Sequence, residues 1–304
     1  MSNKIQLKNV VKNYGNFTAL QDITLSIKEG SIFGLIGKNG AGKTTILKIL
    51  SGMIKKSAGE VFIEGVSVGF GEGEYLKKIG TLIETPAFYD NMAAIDNLKI
   101  RQKVKGSHED LLEILDMVGL KEVAGKKVKG FSLGMRQRAG IAMALVGSPE
   151  ILILDEPING LDPQGILEIR ELITRLNRDY KMTIIVSSHI LEELSKVVDS
   201  YAIIDHGKVV KIFDDHDMEQ SALSIKVSVD EMDEACRIIE ETYGYLPKTE
   251  NPYIVIPSNI VSSSVLNREL VNHNIMVNEL ILEKESMEDV YLKVTGKGDE
   301  LEND

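Results

Sequence analysis

The run Gly37-Lys38-Asn39-Gly40-Ala41-Gly42-Lys43-Thr44-Thr45 fits G-x-x-x-x-G-K-[ST] in full. Its chemistry is the holding of a polyphosphate. The glycines let backbone N–H groups wrap phosphate oxygens, and a helix starting at the end of the run adds its positive dipole end. Lys43 can reach the outer phosphates, and the Thr44 hydroxyl can ligate Mg²⁺. A second stretch, Ile151-Leu152-Ile153-Leu154-Asp155-Glu156-Pro157, sets two acids after four apolar residues. That describes a buried strand with carboxylates at its C-terminal end, the edge where open α/β sheets bind ligands. Asp155 suits the Mg²⁺ shell, and Glu156 suits a general base that polarises water. Two neighbouring acids say little alone; beside a complete phosphate loop they carry weight. A third stretch, Met182–Ser187, reads as another buried strand and delivers Ser188 and His189 to the same edge. A lone histidine is usually structural; one so placed is a candidate for a phosphate contact.

These residues need a scaffold, and the hydrophobic pattern supplies one. Ser31–Ile36 reads as a buried strand before the loop, and Thr45–Leu50 as a helix after it. Residues 4–11 and 21–28 read as strands, the second alternating Ile23, Leu25 and Ile27 with polar neighbours. Between them, Tyr14-Gly15-Asn16-Phe17 offers an aromatic, Tyr14, that could stack on a nucleotide base. Taken alone, Tyr14 is an ordinary loop aromatic. Strands follow at 60–63 and 79–83, the latter ended by Glu84-Thr85-Pro86. The pattern from 91 to 147 is helical, with Leu111, Leu115 and Val118 on one stripe, Ser107 as its expected N-cap and Gly119 as its stop. This predicts a helical insert, about 88–148, inside an α/β domain. Ser132 and Gly134 open the last helix of the insert. They could offer a hydroxyl and backbone donors to an anion, or Ser132 could be a simple cap. Asp162 as N-cap with Pro163 behind it starts a helix to about 179. Residues 200–205 and 208–212 read as closing strands.

Net charge is −11 at pH 7, and it is unevenly spread. Residues 215–304 carry 20 acidic and 7 basic side chains, whereas 1–214 is near neutral. Two modules are expected: a domain over 1–215 and a small α+β domain over 220–296 of βαβαβ-type order, with a last helix at 286–294. The acidic tail 297–304 is expected to be disordered. An acidic module is a poor nucleic-acid binder, so no nucleic-acid partner is expected. The single cysteine, Cys236, excludes an internal disulfide, and the histidines show no metal-ligand spacing. No apolar run approaches ~18 residues, and the first residues have no apolar signal core. The expected compartment is therefore the cytosol.

These pieces in this order resemble the ATP-binding subunit of an ABC transporter over residues 4–214. Gly37–Thr45 resembles the Walker A loop, and Ile151–Glu156 resembles Walker B with its catalytic glutamate. Ser132-Leu133-Gly134-Met135 resembles the signature motif, with Leu133 and Met135 replacing the usual glycine and glutamine. Asn159–Asp162 resembles the D-loop, His189 the switch histidine, and Tyr14 the adenine-stacking aromatic. Glu84 stands where the family normally has glutamine; a carboxylate there adds charge near the phosphates but binds Mg²⁺ harder. With the signature variant and the acidic appendage, Glu84 makes the chain similar to the branch serving bacitracin resistance and lantibiotic immunity.

The resemblance implies a P-loop NTPase of mostly parallel sheet with an antiparallel flank, and ATP with Mg²⁺ held by Thr44, Glu84 and Asp155. It implies a head-to-tail dimer, expected of two identical chains, in which Ser132 and Gly134 of one copy face the γ-phosphate on the other. It also implies a polytopic membrane permease as partner and a place on the inner face of the membrane. The competing possibility is a non-transport ATPase of the same type acting on ribosomes or DNA. Such proteins carry two cassettes, long coiled coils or a basic surface, none of which is seen here.

Overall fold

Three neighbouring strands buried at every residue lie at the centre of the main sheet: β3 (Ile32–Ile36), β8 (Thr183–Ser188) and β7 (Ile151–Asp155). A strand can be apolar on both faces only where both faces are covered, the condition of a parallel sheet wrapped by helices. A computed structural model shows that sheet and describes residues 2–71, 73–214, 223–284 and Tyr291. The chain divides into two units, Met1–Asp215 and His216–Asp304.

In the first unit, β6 (Ile79–Leu82), β8 (Thr183–Ser188), β9 (Ser200–Asp205) and β10 (Lys208–Phe213) complete a six-stranded sheet of order β10-β9-β3-β8-β7-β6. Every pairing is parallel except β10 with β9. A second, antiparallel sheet of order β2-β1-β4-β5 joins β1 (Asn3–Tyr14), β2 (Phe17–Lys28), β4 (Ala58–Ile63) and β5 (Val66–Ser67). The expected mixture of parallel sheet and antiparallel flank is present. Helix α1 (Lys43–Leu50) packs between the sheets, with Ile46 and Leu47 fully buried against Ile23, Leu25 and Ile153. The β9–β10 hairpin links the sheets at its tip. Gly207 has φ 74° and accepts from Gln21 N at 2.6 Å, while its own N–H donates to Ala41 O at 2.9 Å. A Cβ at 207 would stand 2.4 Å from Ala19 O, so only glycine fits.

The insert comprises α2 (Ala94–Lys105), α3 (Leu111–Met117) and α4 (Leu133–Leu145). Leu111, Leu115 and Val118 are buried, as the stripe predicts. Ser107 is not the cap: its hydroxyl meets Glu109, and Asp110 caps α3 by accepting from Leu112 N at 2.8 Å. The left-handed Gly106 closes α2 and gives the chain three more residues before it turns again. Helix α5 (Pro163–Tyr180) starts as predicted, Asp162 accepting from Gly165 N at 3.0 Å. Helix α6 (Leu191–Ser195) follows β8.

Among the described residues, one deeply buried lysine, Lys4, lies outside the phosphate loop. Lys4 Nζ meets Glu64 and Glu150 at 2.5 Å each and Glu29 at 3.4 Å, and Lys78 supports Glu64 at 2.7 Å. Burial works against the Lys4 charge, but its bonds to Glu150 and Glu64 outweigh that and keep it protonated above its usual range. The Lys4 bond, with Lys78 behind it, lowers Glu64 from 4.5 to about 2. A carboxyl with a lowered folded value contributes stability above its unfolded value, and that stability fades as pH falls towards the folded one. Lys4→Met is therefore expected to lower the thermal midpoint at neutral pH and to flatten its decline between about pH 4.5 and 2. A thermal-melt series across that range checks this; an unchanged decline would show the cluster is not the acid-sensitive element.

The second unit has β11 (Leu223–Val229), α7 (Met232–Tyr243), β12 (Lys248–Glu250), β13 (Tyr253–Pro257), α8 (Ser263–Asn272) and β14 (Val277–Lys284). Its sheet, β12-β13-β11-β14, is antiparallel throughout. The expected βαβαβ order lacked β12, whose three residues are all exposed and carry no hydrophobic signal. Helix α8 begins at Ser263 rather than 259. Ile225, Val227, Ile254 and Ile256 face Ile239, Leu266 and Leu270 in its core. The expected helix at 286–294, apart from Tyr291, and the tail lie outside the described residues.

Candidate nucleotide site

The phosphate loop joins β3 to α1. Gly42, with φ 115°, is the N-cap of α1, and no side chain caps the helix. A Cβ on Gly42 would stand 2.8 Å from Leu20 Cδ2, so the turn requires glycine. Gly40 faces open space, with nothing within 4 Å of where a Cβ would stand. The result is a cradle of backbone donors at a helix start, the arrangement that binds phosphate. Lys43 lies along it, 5 % exposed, donating to Gly37 O at 2.5 Å and Lys38 O at 3.4 Å.

The acids converge on that cradle because β7 ends beside it. Thr44 Oγ1 donates to Asp155 Oδ2 at 2.9 Å, and Ser187 Oγ donates to Asp155 Oδ1 at 2.6 Å. The same Ser187 hydroxyl accepts from Glu156 N at 2.9 Å. Glu156 leaves the strand with φ 49°, a left-handed conformation that non-glycine residues hold only where surroundings impose it. Its Oε1 is buried, without a hydrogen bond, but 3.1 Å from Lys43 Nζ. Its Oε2 meets His189 Nδ1 at 2.8 Å. A carboxylate accepts, so Nδ1 carries the hydrogen and Nε2 remains for another contact.

A cleft of about 330 Å³ opens over the loop. Tyr14, Phe17 and Ala19 form one wall, loop residues from Lys38 to Thr45 the other, and Glu156 the end. Asp155 joins through Thr44 and His189 through Glu156. Gly37 contributes its carbonyl, and Ala41 is buried behind the loop. Tyr14 is half-exposed, with Lys12 Nζ 4.5 Å from its ring centre. Ser132, Gly134 and Asp162 do not line this cleft. Ser132 caps α4, accepting from Met135 N at 3.2 Å, and Leu133 beside it is 52 % exposed. Glu84 is not on the lining either: its Oε1 meets Lys48 Nζ at 2.5 Å. Sequence reasoning missed Phe17, Ser187 and Lys48. Phe17 stands in the same loop as Tyr14; the other two gain meaning only from partners far along the chain.

The oxygens fit a magnesium ion. Among the described residues no cluster of three or more His, Cys, Asp or Glu forms a closed metal site. A hydroxyl and one carboxylate are what Mg²⁺ takes from a protein when phosphates and waters fill the rest. A larger cleft, about 490 Å³, opens at the opposite end of the sheet beside Lys4, Ile114 and Leu176. It holds none of the predicted residues, and the phosphate cradle, not size, locates the site.

The sequence model described as "ABC transporter" matches residues 20–159, and one described as an AAA domain, putative AbiEii toxin, matches 127–195. The bacitracin transport ATP-binding protein BcrA of Bacillus licheniformis is 37 % identical over 98 % of this chain and 99 % of its own length. The lantibiotic transport ATP-binding protein SrtF of Streptococcus pyogenes is 44 % identical over 68 % of this chain and 89 % of its own. Among solved structures, the dimeric cassette MJ0796 bound to ADP and Pi superposes with TM-score 0.62 and 27 % identity, over 69 % of this chain and 98 % of that one. The ADP form of MJ1267, at 23 % identity and TM-score 0.67, shares the fold over 73 % of this chain and 95 % of its own. With a phosphate cradle, paired acids and a near full-length relative, the chain belongs to the ATP-binding subunits of ABC transporters, the family's ATPases.

Proposed function

We propose that this ATPase drives an exporter of peptide antibiotics of the bacitracin or lantibiotic kind. The observation that carries this is the match to the bacitracin protein along both lengths, which takes in the C-terminal unit as well as the cassette. Among the described residues no helix is long and apolar enough to cross a membrane. The relatives' transport role supports a membrane-embedded permease as the recipient of the work, with the chain on its cytoplasmic face.

Each site residue then has a role. Tyr14 and Phe17 cover the base, the backbone of Gly37 to Thr45 holds the phosphates, and Lys43 turns from Gly37 O and Glu156 to the outer phosphates. Thr44 and Asp155 would hold Mg²⁺, which when bound would neutralise phosphate charge. Glu156 draws a proton from the attacking water, and His189 steadies it through Nδ1 while Nε2 reaches the γ-phosphate. Ser132 and Gly134 close on the nucleotide of a second copy, and Asp162 contributes to the same junction. Exposed Leu133 and the existence of a dimeric relative with ADP and Pi support that arrangement. ATP binding closes the pair and hydrolysis releases it.

Disruption of the gene is expected to lower resistance to bacitracin or a lantibiotic, with recovery on supplying the wild-type chain but not Glu156→Gln. Unchanged resistance to every such peptide, with the chain sedimenting with ribosomes instead of a permease, would favour the non-transport ATPase.

A further inference from the structure

Two glutamates stand at matching positions on neighbouring strands. Leu82 of β6 pairs with Leu154 of β7, and two residues beyond each come Glu84 and Glu156. Both are in left-handed backbone, with φ 60° and 49°. Each is met by a lysine of the same helix, Glu156 by Lys43 at 3.1 Å and Glu84 by Lys48 at 2.5 Å. Lys48 lies four residues after Thr44, so both are on one face of α1, a turn apart. The Thr44 hydroxyl is the group bonded to Asp155. Lys48 therefore lies one helical turn from the residue whose hydroxyl is assigned to the metal, with Glu84 paired to its ammonium.

From this juxtaposition we infer that Lys48 is a positioning residue that holds Glu84 off the metal site and so sets how much Mg²⁺ the chain needs to bind nucleotide. The inference rests on the assignment of Thr44 and Asp155 to Mg²⁺. An ammonium paired with Glu84 offsets a negative charge that stands one strand away from Asp155 and Glu156. It also holds Oε1 and so fixes where the Glu84 carboxylate points. Removing Lys48 has two consequences of one sign. It frees an oxygen ligand for Mg²⁺, and it takes a positive charge away from the neighbourhood of a cation. The metal should bind more readily without it. The pair is partly exposed, 29 % on the lysine side and 65 % on the glutamate side, so its hold is modest and the shift should be too.

The test measures binding of a fluorescent ATP analogue to the full chain across a series of free Mg²⁺ concentrations. Lys48→Met is expected to lower the half-saturating Mg²⁺ by about three- to fivefold, the size of a partly exposed ion pair. Lys48→Arg keeps the charge and should follow the wild type. In a Glu84→Gln background, Lys48→Met should lose most of its effect, because Lys48 acts through Glu84. Wild-type nucleotide binding at saturating Mg²⁺ and an unchanged thermal midpoint show that each variant is folded. A Lys48→Met curve that matches wild type, moves to higher Mg²⁺, or shifts equally with glutamine at 84 overturns the role of Lys48 alone. Wild-type chain that retains no nucleotide at any Mg²⁺ level overturns the site itself, and this inference with it.

Discussion

Glu156→Gln should cut ATP turnover by about 10²–10⁴-fold, the usual worth of a positioned general base, while nucleotide binding survives. The substitution keeps the shape of a side chain held at both ends, by Lys43 at 3.1 Å and His189 Nδ1 at 2.8 Å. It removes the oxygen basicity that draws a proton from water. The Glu156 N–H bond to Ser187 Oγ is left in place by the substitution, so the fold should tolerate the change. Phosphate release under saturating ATP and Mg²⁺, with binding measured in parallel, decides the matter. A variant that hydrolyses at the wild-type rate sinks the assignment of Glu156 as base.

Lys43→Ala should weaken ATP binding by about 10- to 100-fold, the worth of one or two charge-assisted hydrogen bonds to phosphate. A second effect follows from burial. Lys43 is the cation beside Glu156 Oε1, an oxygen with no hydrogen bond of its own. Taking the lysine away strands that carboxylate, which costs stability as the loss of one partner of a buried pair does. Lys43→Ala should therefore also lower the thermal midpoint without nucleotide, and adding Glu156→Gln should restore part of it. Equilibrium titration and melting curves measure both; unaltered affinity in a folded Lys43→Ala protein contradicts the phosphate contact.

Local motifs were legible because their chemistry is contiguous. The loop from Gly37 to Thr45 and the strand ending in Asp155-Glu156 announce both position and purpose in a few residues. Helix starts were legible where the cap and first turn agree, as at Asp162-Pro163, and misread where two polar candidates compete, as at Ser107 and Asp110. Groups whose meaning lies in a remote partner were silent. Ser187 reads as the end of a strand until Asp155, 32 residues away, is seen beside it. Lys48 is a polar helix residue until Glu84 meets it, and Lys4 an ordinary first-strand lysine until Glu64 and Glu150 close round it. The short β12 was hidden for another reason: an exposed edge strand has no burial pattern to write into its sequence.

The tip of the last hairpin in the first unit has a wider consequence. Gly207 grips Ala41 through one amide and Gln21 through its carbonyl, with no room for a methyl against Ala19. A residue outside every recognisable signature thus clamps the back of the nucleotide cradle to the flanking sheet. Evolutionary tolerance at 207 should consequently be as narrow as at Lys43, and a screen for inactive alleles should recover changes there that leave all the chemistry-bearing side chains in place.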